Sequence, residues 1–388
     1  MKPIYLDHAA TTPADPKVVA AMLPYFAEIF GNPSSLHSFG QEAAAVVEGV
    51  RTKVASFLGV RPAEIVFTSG GTESDNFAIK GVAYANRKRG NHLITSVIEH
   101  DAVLKTCRFL EAEGFRVTYL PVDGEGLVDP AAVARAITNE TILVTIMHAN
   151  NEIGTIQPIA EIGRLVRQRG IYFHTDAVQT FGHLPFTAGG LDVDLLSASA
   201  HKFYGPKGVG LLYIREGTRI LPFMNGGEQE SGRRASTLNV PGIVGLGKAV
   251  ELAAASLEEE AERETALRDQ LIAGLFERID GIRLNGHPLL RLPNNLNLSI
   301  DHVDGEGLML SLDMLGIACS TGSACSSSSI EPSHVLSAIA LPQEPSHGSL
   351  RISLGRSTTE DHIHAILEAL PRVVGRLRAM SPNAARDK

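Results

Sequence analysis

The 388-residue sequence predicts an α/β protein with a mostly parallel central sheet. Short apolar runs alternate with helix-forming segments from Ile65 to Ser197, joined by short connections, as in a sheet covered on both faces. Polar residues gather just after those runs, where open parallel sheets bind their ligands. The length allows two domains, or one large and one small.

Composition narrows the partners. With 44% hydrophobic and 20% charged residues, the chain reads as an ordinary soluble globular protein. A formal net charge of -8 without a dense Lys/Arg run argues against nucleic acid or an anionic membrane. The first thirty residues carry Asp7, Asp15 and Glu28 and no unbroken apolar run, so neither a signal peptide nor a membrane span is expected there. Cytoplasmic localisation is the expectation. Cys107, Cys319 and Cys325 are too few and too unevenly spaced for a disulfide framework or a CxxC zinc site.

Taken in order, Asp15-Pro16 caps one amphipathic helix, with Val18, Val19, Met22, Leu23, Phe26 and Phe30 at helical spacing. Gly31 to Ser35 is a turn, and Ala43 to Leu58 a helix stopped by Gly59. The alternation then runs Ile65–Phe67, helix from Glu73, Leu93–Thr95, helix from Asp101, Val117–Tyr119, helix from Pro130. It continues with Ile142–Met147, helix from Pro158, Ile171–Phe173 and Leu195–Ser197. After Pro241 a long helix carries Glu258-Glu259-Glu260 on a solvated face. Leu296–Ile300, Leu308–Leu315, Leu350–Leu354 and a helix from Thr359 supply a smaller α+β domain, which the first residues join. The expected division is 14–255 for the large domain, 1–13 with 256–380 for the small one, and a frayed tail over 381–388.

The strand-end residues suggest chemistry. Thr68-Ser69-Gly70-Gly71-Thr72-Glu73-Ser74 is a small-residue turn opening a helix, a place where free N–H groups and the helix dipole stabilise a phosphate. His100, Asn150-Asn151 and Asp176 to Gln179 follow other strands. Lys202 follows Ser197-Ala198-Ser199-Ala200-His201 and precedes a Gly/Pro turn. Each alone is ordinary capping or loop polarity. Together they offer an amine, a flat ring, a carboxylate, an amide and an anion cradle. That inventory matches pyridoxal 5'-phosphate, which needs a lysine for its aldehyde, an acid for its ring nitrogen and donors for its phosphate.

On these motifs the chain resembles the cysteine desulfurases of the NifS/IscS type, in the class V aminotransferase family of fold-type-I pyridoxal phosphate enzymes. The likeness runs nearly end to end: Leu6–Thr12, Asn32–Ser35, Phe67–Asn76, Asn150–Gly154, Asp176–Gln179, Lys202 in Ser-Ala-Ser-Ala-His-Lys-Phe-Tyr-Gly-Pro-Lys-Gly, Asn239–Gly242, Gly322–Cys325 and Leu350–Arg356. The resemblance implies that Lys202 carries the cofactor as a Schiff base. His100 stacks on its ring and moves protons, and Asp176 pairs with the ring nitrogen. Gln179 contacts the phenolic oxygen, and Asn151 orients cofactor or substrate. Gly71, Thr72, Ser199 and His201 bind the phosphate. Thr237 reaches the neighbouring subunit's phosphate, implying a homodimer, and Arg351 clamps the substrate carboxylate, a task for a planar fork.

Cys325, within Ser320 to Ser329, is the implied nucleophile. Low bulk and flexibility suit a segment that swings a thiol to a ligand. The implied reaction takes L-cysteine to L-alanine and leaves a persulfide on Cys325. The Ser-rich loop resembles that of enzymes serving iron–sulfur cluster assembly, so a cluster scaffold protein or other sulfur acceptor is the implied partner. No intrinsic metal is expected, though Cys325 is a candidate transient ligand of an iron–sulfur cluster. The alternatives are a selenocysteine lyase or another pyridoxal phosphate-dependent lyase or transaminase, and, outside enzymes, a cofactor-binding scaffold without catalysis.

One segment departs from the family pattern. The family tends to have glycine at Glu228 and Ser236, arginine at Ser231 and serine at Ala235. Two lost glycines restrict the backbone near Thr237. Cys319 is expected to pack in the small domain rather than relay sulfur, and Cys107 to lie in the core.

Overall fold

The computed structural model describes residues 3–321, 333–339 and 348–380. Cys325 lies outside the described residues, as do Gly322 to Ala324 and the tail over 381–388.

The strands are β1 (Ile4–Tyr5), β2 (Ile65–Thr68), β3 (His92–Ser96), β4 (Arg116–Leu120), β5 (Thr141–Thr145), β6 (Tyr172–Asp176), β7 (Leu195–Ser199), β8 (Gly210–Ile214), β9 (Ile282–Asn285), β10 (Asn295–Ile300), β11 (Ile317–Ala318) and β12 (Gly348–Ser353). Seven of them form one sheet in the order β2-β8-β7-β6-β5-β3-β4. The α/β class is as the sequence predicts. β8 is the exception to parallel pairing, running antiparallel to both β2 and β7. Residues 200–209, which hold a 3₁₀ turn and the Gly205-Pro206 turn, join it to β7, a connection shorter than a parallel crossover usually needs. The sequence reading placed no strand there.

β2, β3, β5 and β7 are buried along their whole length, because helices cover both faces. On one face Phe67, Ile94, Val144, Phe173 and Leu196 join the helix Ser38–Leu58; on the other Val66, Leu93, Leu143 and Leu195 join the helices Gly71–Asn86 and Asp101–Ala112. The helix Ser38–Leu58 ends where expected, at Gly59 in the left-handed region (φ 68°).

A separate core holds Leu267, Leu271, Leu298, Leu308, Leu350 and Ile366 around the antiparallel sheet β12-β10-β9. Residues 305–313, expected only as part of this region, form a helix capped by the Asp304 side chain. β1 pairs in parallel with β11, which attaches the first residues to this second core. The helix Val240–Phe276 reaches both cores, with Ile243 and Leu246 in one and Leu271 and Leu275 in the other. By length and composition it has an apolar stretch able to cross a membrane, yet 56% of that stretch is buried within the protein. Gly247 permits its approach to the helix Ser38–Leu58: a Cβ there would sit 2.7 Å from a Val50 methyl.

Two local expectations fail. The single helix after Asp15 is split into Pro16–Met22 and Pro24–Ala27, since Pro24 cannot donate to the preceding turn. Leu23, Phe26 and Phe30 are consequently left exposed rather than packed. Glu260 is not on a free face either, because it pairs with Arg356 at 2.6 Å.

Candidate active site

The loops after β3, β5, β6 and β7 meet at one end of the large sheet. Ala9, Ala10, Gly71, Thr72, Asp75, His100, Asn151, Asp176, Gln179, Ser199, His201, Lys202 and Arg351 there line a cavity of about 180 Å³. All the predicted site residues among those described are thus brought together except Thr237, which is exposed and outside the cavity of its own chain. A larger cavity of about 460 Å³, lined by Pro33, Glu48, Arg51 and Arg233 among others, contains none of them.

Lys202 closes a 3₁₀ turn directly after β7. Its Nζ donates to the carbonyl oxygens of Ala9 (2.6 Å) and Ala10 (2.9 Å). Gln179 Nε2 donates to the same Ala9 oxygen at 3.1 Å. The segment 9–12 is held over the lysine by further bonds: Thr12 to the His201 carbonyl (2.9 Å) and Lys207 Nζ to the Thr12 carbonyl (2.9 Å). His201 Nδ1 lies 3.0 Å from Thr11 Oγ1, and burial with the nearby lysines pushes this imidazole down to about 4, so it is neutral.

Asp176 ends β6 and is fully enclosed, its Oδ1 accepting the Val178 N–H at 2.9 Å. Burial raises this carboxyl, while His100, the Val178 N–H and Lys202 oppose that rise. Two other acids surround it. Burial and the neighbouring Asp176 charge push Asp75 well above the ordinary carboxylate range, and burial pushes Glu99 up to about 8. Burial favours the protonated forms of Glu99 and Asp75, and of the three acids Asp176 is the one that His100 and Lys202 draw toward its charged form.

His100 caps the helix Asp101–Ala112, its Nδ1 accepting the Ala102 N–H at 3.1 Å, which leaves the ring proton on Nε2. Opposite, the helix Gly71–Asn86 opens on Gly70 at φ 153°, a conformation suited to glycine. A Cβ on Gly71 would fall 2.7 Å from a Val178 methyl, so this turn stays open only as glycine. Arg351, on β12, is 1% exposed; its Nη1 donates to the Asn151 carbonyl (3.1 Å) and its Nη2 to Asp7 (2.8 Å).

These residues fit pyridoxal phosphate on the structure's own terms. A buried carboxylate, raised by its burial, would be favoured by a further cation, an amine lines the same cavity, and a glycine turn with hydroxyls borders it. Sequence reasoning missed Asp75 and Asp7. Both stand in stretches it singled out, but burial and pairing across more than 300 residues leave no local signal.

The aminotransferase class-V model matches residues 4–366. The chain is 56% identical over 379 residues to the cysteine desulfurase IscS of Dictyoglomus turgidum, covering 98% of this chain and 96% of that one. A solved structure of a NifS-like protein superposes with a TM-score of 0.91 at 41% identity, covering 97% and 100%. SspA in complex with cysteine gives a TM-score of 0.81 at 39% identity, covering 90% and 98%.

Proposed function

This chain belongs to the aminotransferase class-V family as a pyridoxal phosphate-dependent cysteine desulfurase, and on that premise we propose how its residues divide the work and where the sulfur goes. The observation that carries the assignment of roles is the convergence of Lys202, His100, Asp176 and Arg351 on one cavity beside an open glycine turn. When bound, the cofactor supplies an electron sink for the substrate's α-carbon.

The protein's own residues do the rest. Arg351, beside Asn151, binds the L-cysteine carboxylate and orients the Cα–H bond. Lys202 Nζ, which would also hold the cofactor, is placed to take the α-proton. Asp176 would pair with the ring nitrogen and favour its protonated form, His100 would lie against the ring with its Nε2–H available to move a proton, and Gln179 would meet the phenolic oxygen. Gly71, Thr72, Ser199 and His201 hold the phosphate.

Sulfur leaves by displacement. The Cys325 thiolate attacks the substrate sulfur, a new S–S bond forms, and the C–S bond breaks with its electron pair left on carbon. Protonation there gives L-alanine and a Cys325 persulfide, balancing the reaction without an external redox agent. Cys325 is four residues past Thr321, a reach of at most about 14 Å. Support comes from the neighbours of Thr321: its carbonyl is fixed by Ser349 (2.6 Å), and Ser320 pairs with Arg351. Cys319 is a poor relay, since burial and Asp7 raise its thiol to about 12.

The active unit we propose is a homodimer in the cytoplasm, passing sulfur to an iron–sulfur scaffold protein or comparable acceptor. Exposed Leu23, Phe26, Phe30 and Phe39 on neighbouring segments offer an apolar face, and the exposed Thr237 suits a residue that completes the partner's phosphate site. The reducing compartment accords with the two described cysteines, Cys107 and Cys319, both being free thiols. Incubation with L-cysteine is the test: alanine must appear together with a mass of one sulfur on Cys325. Cys325→Ser should retain the cofactor's visible absorbance and release no sulfide; sulfide at the wild-type rate would overturn the mechanism.

A further inference from the structure

Beside the glycine turn lies an ion pair with no role in the chemistry above. Arg234 Nε stands 2.8 Å from Glu73 Oε1 and its Nη2 3.1 Å from Oε2, with both side chains largely buried. Glu73 is in the first turn of the helix Gly71–Asn86, next to Thr72, and its Oε2 also accepts the Ser69 N–H at 2.8 Å. Burial pushes the Glu73 carboxyl up, but Arg234 and the Ser69 N–H outweigh it, so the group stays ionised.

A carboxylate in that place is a difficulty for an anion site. The cradle's donors are neutral: the hydroxyls of Thr72 and Ser199, the helix N–H groups, and a His201 held uncharged. The cations among the described lining residues are engaged elsewhere, Lys202 on Ala9 and Ala10 and Arg351 on Asp7 and Asn151. Left alone, Glu73 would repel a phosphate dianion across one residue of helix. It cannot simply be dispensed with, because it caps Ser69 and so shapes the turn.

We propose that Arg234 is a positioning residue for the anion cradle, neutralising Glu73 and fixing it as the cap of Ser69 so that a phosphate group can occupy the turn. The strained backbone upstream and downstream is consistent with a segment held in place for this purpose: Glu230 (φ 51°), Ser231 (φ 58°) and Ser236 (φ 96°) all lie at positive φ. A second tie, Arg51 Nη2 to Glu230 at 2.7 Å, pins the same segment from the other side.

The inference rests on reading this turn as the cofactor's phosphate site, and ligands with and without phosphate separate the two claims. Apoprotein is titrated with pyridoxal 5'-phosphate and with pyridoxal, binding being followed by visible absorbance and by calorimetry. Arg234→Gln should weaken the phosphate ester about tenfold and leave pyridoxal unchanged. The double variant Glu73→Gln/Arg234→Gln, which removes the uncompensated charge, should recover most of that loss. Equal weakening of both ligands, no weakening, or a double variant no better than Arg234→Gln overturns the inference while leaving the phosphate site standing. Wild-type protein that binds pyridoxal as tightly as its phosphate ester overturns the phosphate site itself, and the inference with it.

Discussion

Arg351, the proposed clamp for the substrate carboxylate, already holds one carboxylate: Asp7 lies 2.8 Å from its Nη2, joined across 344 residues. Its Nε is buried with no hydrogen-bond partner among the described residues, so donor capacity is left for a second anion. Asp7→Asn should lower stability by about 1–3 kcal/mol, because it leaves a buried guanidinium without a counter-charge. Thermal unfolding of the apoprotein measures this. Arg351→Lys should raise KM for L-cysteine at least about tenfold while preserving cofactor absorbance, an ammonium being unable to reproduce the fork. An unchanged KM would remove Arg351 from substrate binding.

Ser236 occupies a backbone conformation at φ 96° that side chains rarely adopt. Ser236→Gly should therefore stabilise the protein by about 1 kcal/mol, an increase in melting temperature of a few degrees at most for a chain this long. A lower melting temperature would show that the added freedom of the unfolded chain dominates.

Glu264 is 2% exposed, with Arg263 Nη2 no closer than 3.8 Å and Oε1 without a hydrogen bond. Burial raises its carboxyl to about 7. Between the unfolded value near 4.5 and that of the fold, the unfolded chain loses its proton first, so stability falls as pH rises. Glu264→Gln should match wild type near pH 4 and exceed it by about 2–3 kcal/mol at pH 8. Denaturant melts at the two pH values decide; a constant difference would contradict the raised value.

Ser333 Oγ donates to Glu152 Oε2 at 2.6 Å, and His334 Nε2 lies 3.0 Å from the Glu99 carbonyl, so the described residues following the Cys325 stretch are tied to the loops after β3 and β5. Ser333→Ala should leave cofactor affinity unchanged and slow alanine formation several-fold if, as proposed, Cys325 is the nucleophile and this tie anchors the residues that follow it. Single-turnover measurements separate this from a defect in sulfur release to the acceptor.

Much of this was legible in the sequence because it is local. The strand-end positions of His100, Asp176 and Lys202 follow from the alternation of apolar runs, and the open turn at Gly70-Gly71 from its small residues. What escaped depends on distance or on a single residue's veto. Pro24 split a helix whose periodicity looked continuous, and β8 had its direction set by the turn before it. Asp75 reads as an ordinary helical acid until folding buries it beside Asp176 and Ser197, and Asp7 as a turn residue until β12 arrives beside it. Thr237 is exposed in its own chain, and the role proposed for it would need a second subunit. Motif resemblance named Cys325, and no feature of packing would have done so.

The parallel pairing of Ile4–Tyr5 with Ile317–Ala318 also orders events during synthesis. The first dozen residues leave the ribosome long before the strands that receive them. The seven-stranded sheet is encoded by residue 214 and is able to form early. Ala9 and Ala10, whose carbonyls hold Lys202, are tethered through Asp7 to Arg351 on the distant β12, as well as through Thr12 to His201 and Lys207. Truncations short of residue 353 should keep the seven-stranded sheet yet lack the Arg351 tether, leaving the cover over Lys202 held from the large sheet alone.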